Sequence, residues 1–294
     1  MSSSSSVSLA SWLTLGILGL VWGSSFILIK KGLVALTPVQ LACLRITISS
    51  LAFTPVLIYH RKKVDWSRWK PFLLVGLTGS GLPAFLYSTA QTEVNSSLAG
   101  MLNSMTPIFT LIIGLLFFGI NFTWGKILGV VLGFTGVCFL IFSNGLDFGG
   151  SIPYAMLIVL GTMCYGTSVN IVKEYFQDTR SLIISAVSFF LIGPPAIIYL
   201  LTSGAVQDMA QAPEIWMSLG AVALLSLVGT VSATIIFYKL VKDTNAVFAS
   251  SVAYIMPIVA LGWGFWDGEE LFLIQILGMF FILIGVYIIK KQGN

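Results

Sequence analysis

Charged residues are scarce in this sequence. Only 9% of its 294 residues are Asp, Glu, Lys or Arg, and 57% are hydrophobic, whereas a soluble domain carries about 25% charged residues. A surface that faces water on all sides cannot be built from this composition, so lipid is the expected solvent. In hydrocarbon every backbone polar group needs a partner within the protein, which leaves helices or closed barrels. The apolar runs continue over about 20 residues without the alternating polarity of barrel strands, so they predict transmembrane helices.

Residues with catalytic or metal-binding chemistry are equally few. The single histidine, His60, lies in a basic loop, and the three cysteines, Cys43, Cys138 and Cys164, lie in apolar runs without a ligand spacing. We interpret the cysteines as packing residues. An intramembrane enzyme would need His, Cys, Asp or Glu residues grouped near one interface. The sequence therefore predicts a protein that is not an enzyme and binds no metal or cofactor, with an intramembrane enzyme as the alternative.

Apolar runs between charged or turn-rich breaks give ten predicted membrane spans. They are residues 9–29, 38–59, 70–91, 95–118, 123–143, 152–173, 181–202, 214–239, 245–266 and 271–290. With both termini in the cytoplasm, twelve of the fifteen Lys and Arg residues fall in cytoplasmic segments, although Lys30 and Lys31 fall outside. The positive-inside rule thus predicts a multi-pass protein of the inner (cytoplasmic) membrane with both termini cytoplasmic. The net charge of +4 reflects this asymmetry and indicates no nucleic-acid partner.

The two halves of the chain resemble each other. The segment TEVNSSLAGMLNSMTPI (92–108) aligns with DTNAVFASSVAYIMPI (243–258), and WGSSFILIKK (22–31) aligns with YGTSVNIVKE (165–174). The repeat unit is a five-helix domain, residues 1–145 in the first copy and 150–294 in the second. Because five is odd, the second copy must enter the membrane upside down. The predicted fold class is all-α integral membrane, with ten transmembrane helices as two inverted five-helix repeats, which is typical of alternating-access transporters.

Each half has a proline near the middle of an apolar run, Pro107 in the fourth span and Pro257 in the ninth. A proline inside a helix removes one backbone hydrogen bond and kinks the helix, and neighbouring groups must satisfy the freed carbonyl. We interpret both prolines as gating residues that bend or flex a helix around a cavity. A static kink kept for packing is the alternative.

The chain resembles the EamA branch of the drug/metabolite transporter superfamily. The resemblance rests on the WGSSF motif at residues 22–26, the prolines of the fourth and ninth spans, and the glycine-punctuated fifth and tenth spans. It covers nearly the whole chain and implies export or exchange of small metabolites, often amino acids, through a central cavity. It also implies that the first, third, fourth, sixth, eighth and ninth helices line that cavity. A lipid-carrier or nucleotide-sugar translocator of the same fold is an alternative, and a channel is a weaker one.

Polar and aromatic residues on these helices are the candidates for substrate contact. The predicted substrate-binding residues are Trp22, Ser24, Ser25, Tyr87, Asn103, Tyr165, Asn170, Tyr238 and Tyr254. For each of them, a hydrogen bond between helices or simple packing is the alternative role. Because a buried amide at bilayer depth needs a partner, Asn103 and Asn170 are expected to face the protein interior. The expected partners are a small-molecule substrate and the lipid bilayer.

Intramembrane charges and small residues complete the sequence-based expectations. Arg45, in the second span, is expected to extend outward or to pair with Glu93. Holding a substrate carboxylate is the alternative. Glu269 and Glu270, in the loop WDGEEL, are expected to be solvated. The spacing GKILGVVLG (125–133) predicts a close helix contact, which we place within the chain rather than at a dimer seam. A monomer is therefore the simplest assembly.

Overall fold

The computed structural model describes residues 9–119, 123–141, 151–244, 246–270 and 272–291. Within these ranges the regular secondary structure is helical and contains no strands. Among the described residues, eight helices are long and apolar enough to cross a membrane, and two further apolar helices, Trp124–Leu140 and Leu273–Ile288, are shorter. The all-helical class and the membrane-spanning character that the sequence predicts are therefore confirmed.

Ten helical rods follow one another in the described part of the chain. They are α1 (Leu9–Gly32), α2 (Pro38–Lys63), α3 (Trp66–Ala90), α4 (Ser96–Phe117), α5 (Trp124–Ile141), α6 (Ser151–Tyr175), α7 (Ser181–Thr202), α8 (Ile215–Asp243), α9 (Phe248–Trp266) and α10 (Leu273–Lys291), with a short helix, Ala205–Gln211, before α8. Each rod lies at one of the predicted spans. The predicted ends at residues 142–143, 245 and 271, and both chain termini, lie outside the described residues. The central helix is α4, of which 78% is buried.

Several rods are interrupted near their middle. In α3 and α8 the chain forms a π-helical turn, at Leu77–Gly81 and Leu227–Ser232. Regular helix also stops at Ser24 in α1, and in α9 it tightens into a 3₁₀ turn over Ser251–Tyr254. A π turn leaves carbonyl groups without their usual partners and is frequent at functional sites. These interruptions lie inside the bundle, where a side chain of another helix reaches the backbone of the α8 π turn.

The two repeated prolines begin new helical segments instead of lying inside continuous ones. Pro107 is the second residue of Thr106–Phe117, and Pro257 is the second residue of Met256–Trp266. At the start of a helix the missing proline N–H costs nothing, because that group has no intrahelical partner there. The carbonyl of Asn103, four residues before Pro107, accepts a hydrogen bond from the Thr106 hydroxyl (2.8 Å). Instead of the expected kink inside a continuous helix, each proline follows an interruption between two helical segments. In α4 the carbonyl of Asn103, which the proline leaves without a backbone donor, is satisfied by the Thr106 side chain.

Close glycine contacts hold α5 against α10 within the chain. A Cβ added to Gly278 would lie 2.7 Å from the carbonyl oxygen of Gly136, and one added to Gly285 would lie 2.8 Å from the backbone nitrogen of Gly133. On α1, a Cβ at Gly23 would lie 2.6 Å from the Val259 Cβ of α9. Only glycine permits this approach without moving a helix. The predicted contact through the α5 glycines is confirmed as an intrachain one.

Candidate functional site

A cavity lies where the interrupted helices meet. It contains about 840 Å³ of space, including its mouth, and its described lining comes from α1, α2, α3, α4, α6, α8 and α9. Both π turns reach it, through Gly79 and Ser80 of α3 and through Gly229 and Thr230 of α8. The six helices that the family resemblance implies all contribute, and α2 contributes as well. Small-molecule sites commonly lie between the helices of a bundle, as this cavity does.

Aromatic rings form much of the cavity wall. Trp22 of α1 meets Phe237 of α8 edge-on, with ring centroids 4.8 Å apart. Tyr87 of α3 lies between Phe26 and Tyr165, at centroid distances of 6.0 and 5.8 Å. The Trp22 Nε1 donates a 2.7 Å hydrogen bond to the carbonyl of Gly229 in the α8 π turn. This bond fixes the indole ring and joins α1 to the α8 π turn.

Polar side chains at the cavity are joined across helices. The Tyr87 hydroxyl donates to Asn103 Oδ1, and Asn103 Nδ2 lies 3.4 Å from the sulfur of Met256. These contacts connect α3, α4 and α9. On the opposite side, the hydroxyls of Ser168 and Tyr238 lie 3.4 Å apart and connect α6 with α8. A substrate in the cavity would therefore meet hydroxyl and amide groups from both halves of the chain.

Arg45 brings a positive charge to the cavity from α2. Its Nε donates a 2.9 Å hydrogen bond to the Thr230 hydroxyl in the α8 π turn, and the hydroxyls of Tyr165 and Tyr87 are its other polar neighbours. Among the described residues it forms no ion pair with Glu93. The expected outward pairing is wrong, because the side chain turns inward to groups that only the folded bundle supplies. No Asp or Glu is among the described lining residues.

The predicted substrate-binding residues divide into two groups. Six of them line the cavity: Trp22, Ser25, Tyr87, Asn103, Tyr165 and Tyr238. Three do not. Ser24 accepts a hydrogen bond from Trp263 Nε1 (2.8 Å), and Asn170 donates to the carbonyls of Thr110 and Gly166 (both 2.8 Å). The Tyr254 hydroxyl is buried without a hydrogen-bond partner among the described residues.

Burial of the two asparagines agrees with the sequence-based expectation. Asn103 is 3% exposed and Asn170 is 4% exposed, so both face the protein interior as predicted. The sequence could not separate their roles. Both are amides on cavity-forming helices, and the rotation of each helix about its axis decides which one reaches the open space.

An ionic cluster centred on the buried Glu269 side chain joins α1, α4 and the turn after α9 at one end of the bundle. We call it the Glu269 cluster, and it comprises Lys30, Lys31, Ser96, Ser97, Asp267 and Glu269. Glu269 Oε1 accepts hydrogen bonds from Lys30 Nζ (2.8 Å) and from the Ser96 backbone (3.0 Å) and hydroxyl (2.6 Å). Its Oε2 accepts from the Ser97 backbone (2.9 Å) and hydroxyl (2.6 Å). Asp267 pairs with both lysines, at 2.8 and 2.5 Å.

The expectation that Glu269 is solvated is wrong. Its side chain is 3% exposed, because the turn after α9 folds it onto the first residues of α4. Burial alone would raise the pKa of this carboxyl, but the hydrogen bonds from Lys30, Ser96 and Ser97 outweigh burial and lower the pKa to about 2. The pKa of Asp267 is lowered by its hydrogen bonds to Lys30 and Lys31. Both acids are therefore ionised at neutral pH. Glu270 is exposed, as expected.

The described residues include no group of three His, Cys, Asp or Glu side chains placed to bind a metal ion. Cys43, Cys138 and Cys164 are free thiols, buried, exposed and partly buried respectively. The packing role expected of the cysteines therefore does not hold for Cys138, which lies on the outer surface of α5.

The model of the EamA-like transporter family matches residues 10–142 and again residues 152–290. The chain belongs to the EamA-like transporter family. It is 21% identical over 282 residues to an uncharacterized transporter of Archaeoglobus fulgidus, covering 96% of this chain and 99% of that protein. It is 25% identical to the uncharacterized inner membrane transporter YedA of Escherichia coli, covering 92% of this chain and 87% of that one. One solved crystal structure has the same fold, with a TM-score of 0.66 at 14% identity over 97% of each chain.

Family membership and the apolar helices together make this EamA-like chain a multi-pass membrane transporter. The names of these two relatives are those of transporters and specify no solute. The class of solute must therefore be inferred from the residues that line the cavity.

Proposed function

We propose that the protein moves small amphipathic metabolites, such as amino acids, across the cytoplasmic membrane by alternating access. The observation that carries this proposal is the cavity at the interrupted middle of the bundle, with aromatic walls and hydroxyl and amide groups from both halves. Discontinuous helices at the midplane are the usual binding sites of secondary transporters, because their free backbone groups face the substrate. The site residues proposed for contact are the six predicted residues on this cavity. Export and exchange are both compatible with this arrangement.

An inverted arrangement of the two halves is supported by contacts at opposite ends of α3. Gln91, just beyond the end of α3, donates to the carbonyl of Phe26 in the last third of α1 (2.9 Å). Arg68, at the start of α3, donates to the carbonyl of Tyr175 at the end of α6 (3.1 Å). With 25 residues, α3 is about 37 Å long. These contacts support opposite directions for the repeat counterparts α1 and α6. The double match of one family model, at residues 10–142 and 152–290, agrees with a duplicated unit.

The Glu269 cluster indicates which end of the proposed transporter is closed. It joins α1 and α4 of the first half to the α9–α10 connection of the second half. At the opposite end, the ion pair between the halves within the described residues is Arg68 with Asp178, whose side chains are 36% and 64% exposed, whereas the Glu269 side chain is 3% exposed. Exposed ion pairs contribute little. In the proposed orientation, with cytoplasmic termini, the Glu269 cluster is on the outer side, and we propose that it holds this conformer closed to the outside.

A nucleotide-sugar translocator of the same fold is less well supported. A nucleotide diphosphate carries at least two negative charges, which transporters neutralise with several Arg or Lys side chains. Arg45 is the one cationic side chain among the described lining residues. A substrate with at most one unbalanced negative charge suits this cavity better.

Uptake into proteoliposomes of the purified protein tests the proposed function. A panel of radiolabelled amino acids, aromatic acids, nucleosides and polyamines is offered with and without a pH gradient, and by exchange against internal unlabelled solute. We expect at least one small amphipathic solute to accumulate above empty liposomes. Absence of transport across the whole panel, together with a hydrolytic activity of the same preparation, would favour the intramembrane enzyme.

Topology reporters test the inverted arrangement separately. A fusion after Asp65 lies between α2 and α3, and a fusion after Asp208 lies between α7 and α8. We expect the first to report the cytoplasm and the second the outer side, because the positive charges are concentrated in the segment 60–70. Reporters on the same side would rule out ten alternating spans.

Alanine variants of the two buried asparagines distinguish a residue that contacts the substrate from one that only packs helices together. We expect Asn103→Ala to raise KM for the transported solute about 5- to 100-fold, because it removes a cavity amide and leaves the buried Tyr87 hydroxyl without its acceptor. Asn170→Ala removes bonds that hold α6 to α4 away from the cavity. It should lower thermal stability and leave KM unchanged. Initial uptake rates at varied solute concentration and melting in detergent measure both effects, and equal changes of KM in the two variants would refute the assignment.

A further inference from the structure

We propose that Arg45 binds a carboxylate of the transported molecule, so that the cavity selects organic monocarboxylates with an apolar body over their neutral or cationic analogues. This inference rests on the proposed transport function and specifies its substrate class. It concerns a residue on α2, a helix that the family resemblance does not place at the cavity.

The cavity holds a positive charge without a negative one. Arg45 lies on the lining, and the described lining includes no Asp or Glu. Within the described residues, no carboxylate lies within ion-pair distance of its guanidinium. A charge inside the membrane is costly and is normally paired. A bound carboxylate would supply the missing counter-charge.

The contacts of Arg45 leave part of the guanidinium free for a ligand. Arginine carries five N–H donors in a planar fork, and the hydrogen bond from Nε to the Thr230 hydroxyl uses one of them. Thr230 in turn donates to the carbonyl of Leu225 (3.1 Å), so its orientation is fixed. This chain of bonds holds the guanidinium by its Nε edge. The Tyr165 hydroxyl is a further partner of the guanidinium, and the N–H groups of the terminal nitrogens that remain can meet a carboxylate in the paired geometry that arginine favours.

The rest of the lining suits an apolar body rather than a second charge. Trp22, Phe26 and Phe237 present rings to the same space, and aromatic faces bury apolar ligand surface well. The described lining holds no carboxylate that could pair with an ammonium group. A cationic solute would find the Arg45 charge uncompensated and would be repelled.

Matched pairs of probes test this selection on the purified full-length protein. The pairs are 3-phenylpropionate with 3-phenylpropionamide, L-phenylalanine with L-phenylalaninamide, and L-leucine with L-leucinamide. Competition and thermal-shift titrations measure the binding of each. We expect the carboxylate member to bind at least tenfold more tightly in one or more pairs. Arg45→Gln should abolish that preference, with a loss on the order of 30-fold for the carboxylate, and should leave the amide unchanged.

Two further variants guard against a folding defect. Arg45→Lys keeps the charge without the fork and should recover part of the carboxylate preference. Arg61→Gln changes an exposed arginine at the far end of α2 and should have no effect. No preference in any pair, or a preference that survives Arg45→Gln, would overturn the carboxylate assignment. Uptake of a nucleoside or polyamine from the wider panel would then still uphold transport through the cavity, so the two proposals fail separately.

Discussion

Replacing Gly79 with leucine is expected to abolish transport. A Cβ at this position would lie 2.6 Å from the Ser168 hydroxyl of α6 and 2.7 Å from the Tyr238 hydroxyl of α8. A leucine must therefore displace both residues or fill the space between α3 and α6. Interiors are close-packed, so added atoms that cannot be accommodated occupy the cavity or separate the helices. Either result removes the space through which we propose that the solute passes.

Uptake and folding are measured on the same preparation. The Gly79→Leu protein should elute as a monodisperse peak in detergent and show uptake at the level of empty liposomes, and Gly79→Ala should retain a reduced rate. Gly220→Leu is the matched control, because a Cβ at Gly220 meets no atom within 4 Å. It should transport like the unmodified protein. Normal uptake by a folded Gly79→Leu protein would mean that the solute takes another route.

Replacing Glu269 with alanine is expected to open the closed end of the bundle. The change leaves the first N–H groups of α4 at Ser96 and Ser97 without their acceptor and leaves Lys30 with Asp267 alone. Loss of a hydrogen-bonded charge typically costs about 2 kcal/mol or more. Breaking a fully buried ion pair costs more than this. Because the Lys30 side chain is 36% exposed, the cost here should be about 2 kcal/mol. It corresponds to about a 30-fold shift in the equilibrium between closed and open conformers.

A single cysteine reports this shift. With the three native cysteines replaced by serine and Ser25→Cys introduced at the cavity, an impermeant maleimide is added from the side of the Glu269 cluster. Labelling should be at least about tenfold faster with Glu269→Ala than without it. Asp178→Asn, which breaks the exposed pair at the other end, should not change labelling from this side. An unchanged rate in the alanine variant would show that the cluster does not hold this end closed.

The direction of the shift in the Glu269 pKa defines the pH range in which the Glu269 cluster is intact. Its pKa is lowered from an ordinary value of 4.5 to about 2. A lowered pKa means that the interaction stabilises the closed end fully above pH 4.5 and is lost as the pH falls towards 2. The labelling comparison can therefore be made anywhere between pH 5 and 8 without protonating the carboxylate.

Hydropathy and composition were enough to predict the helices of this protein. In hydrocarbon an apolar run of about 20 residues has no alternative to a helix, so each predicted span corresponds to a helical rod. The same rule predicted that Asn103 and Asn170 would be buried, because lipid cannot satisfy an amide. The family resemblance, which rests on the repeated motifs, indicated six of the helices around the cavity.

Tertiary structure alone decided which polar groups meet. Glu269 reads as a loop residue, yet it binds the start of α4, which lies 173 positions away in the chain. Arg45 turns inward because the α8 π turn presents Thr230 to it, and a π turn leaves no clear signal in an apolar run. Asn103 reaches the cavity and Asn170 does not, because each helix is rotated by its packing against its neighbours. Hydropathy depends on the solvation of each residue, so the sequence by itself determined the helical rods. Contacts between distant residues depend on how those rods are arranged, so the packing of the helices determined the site.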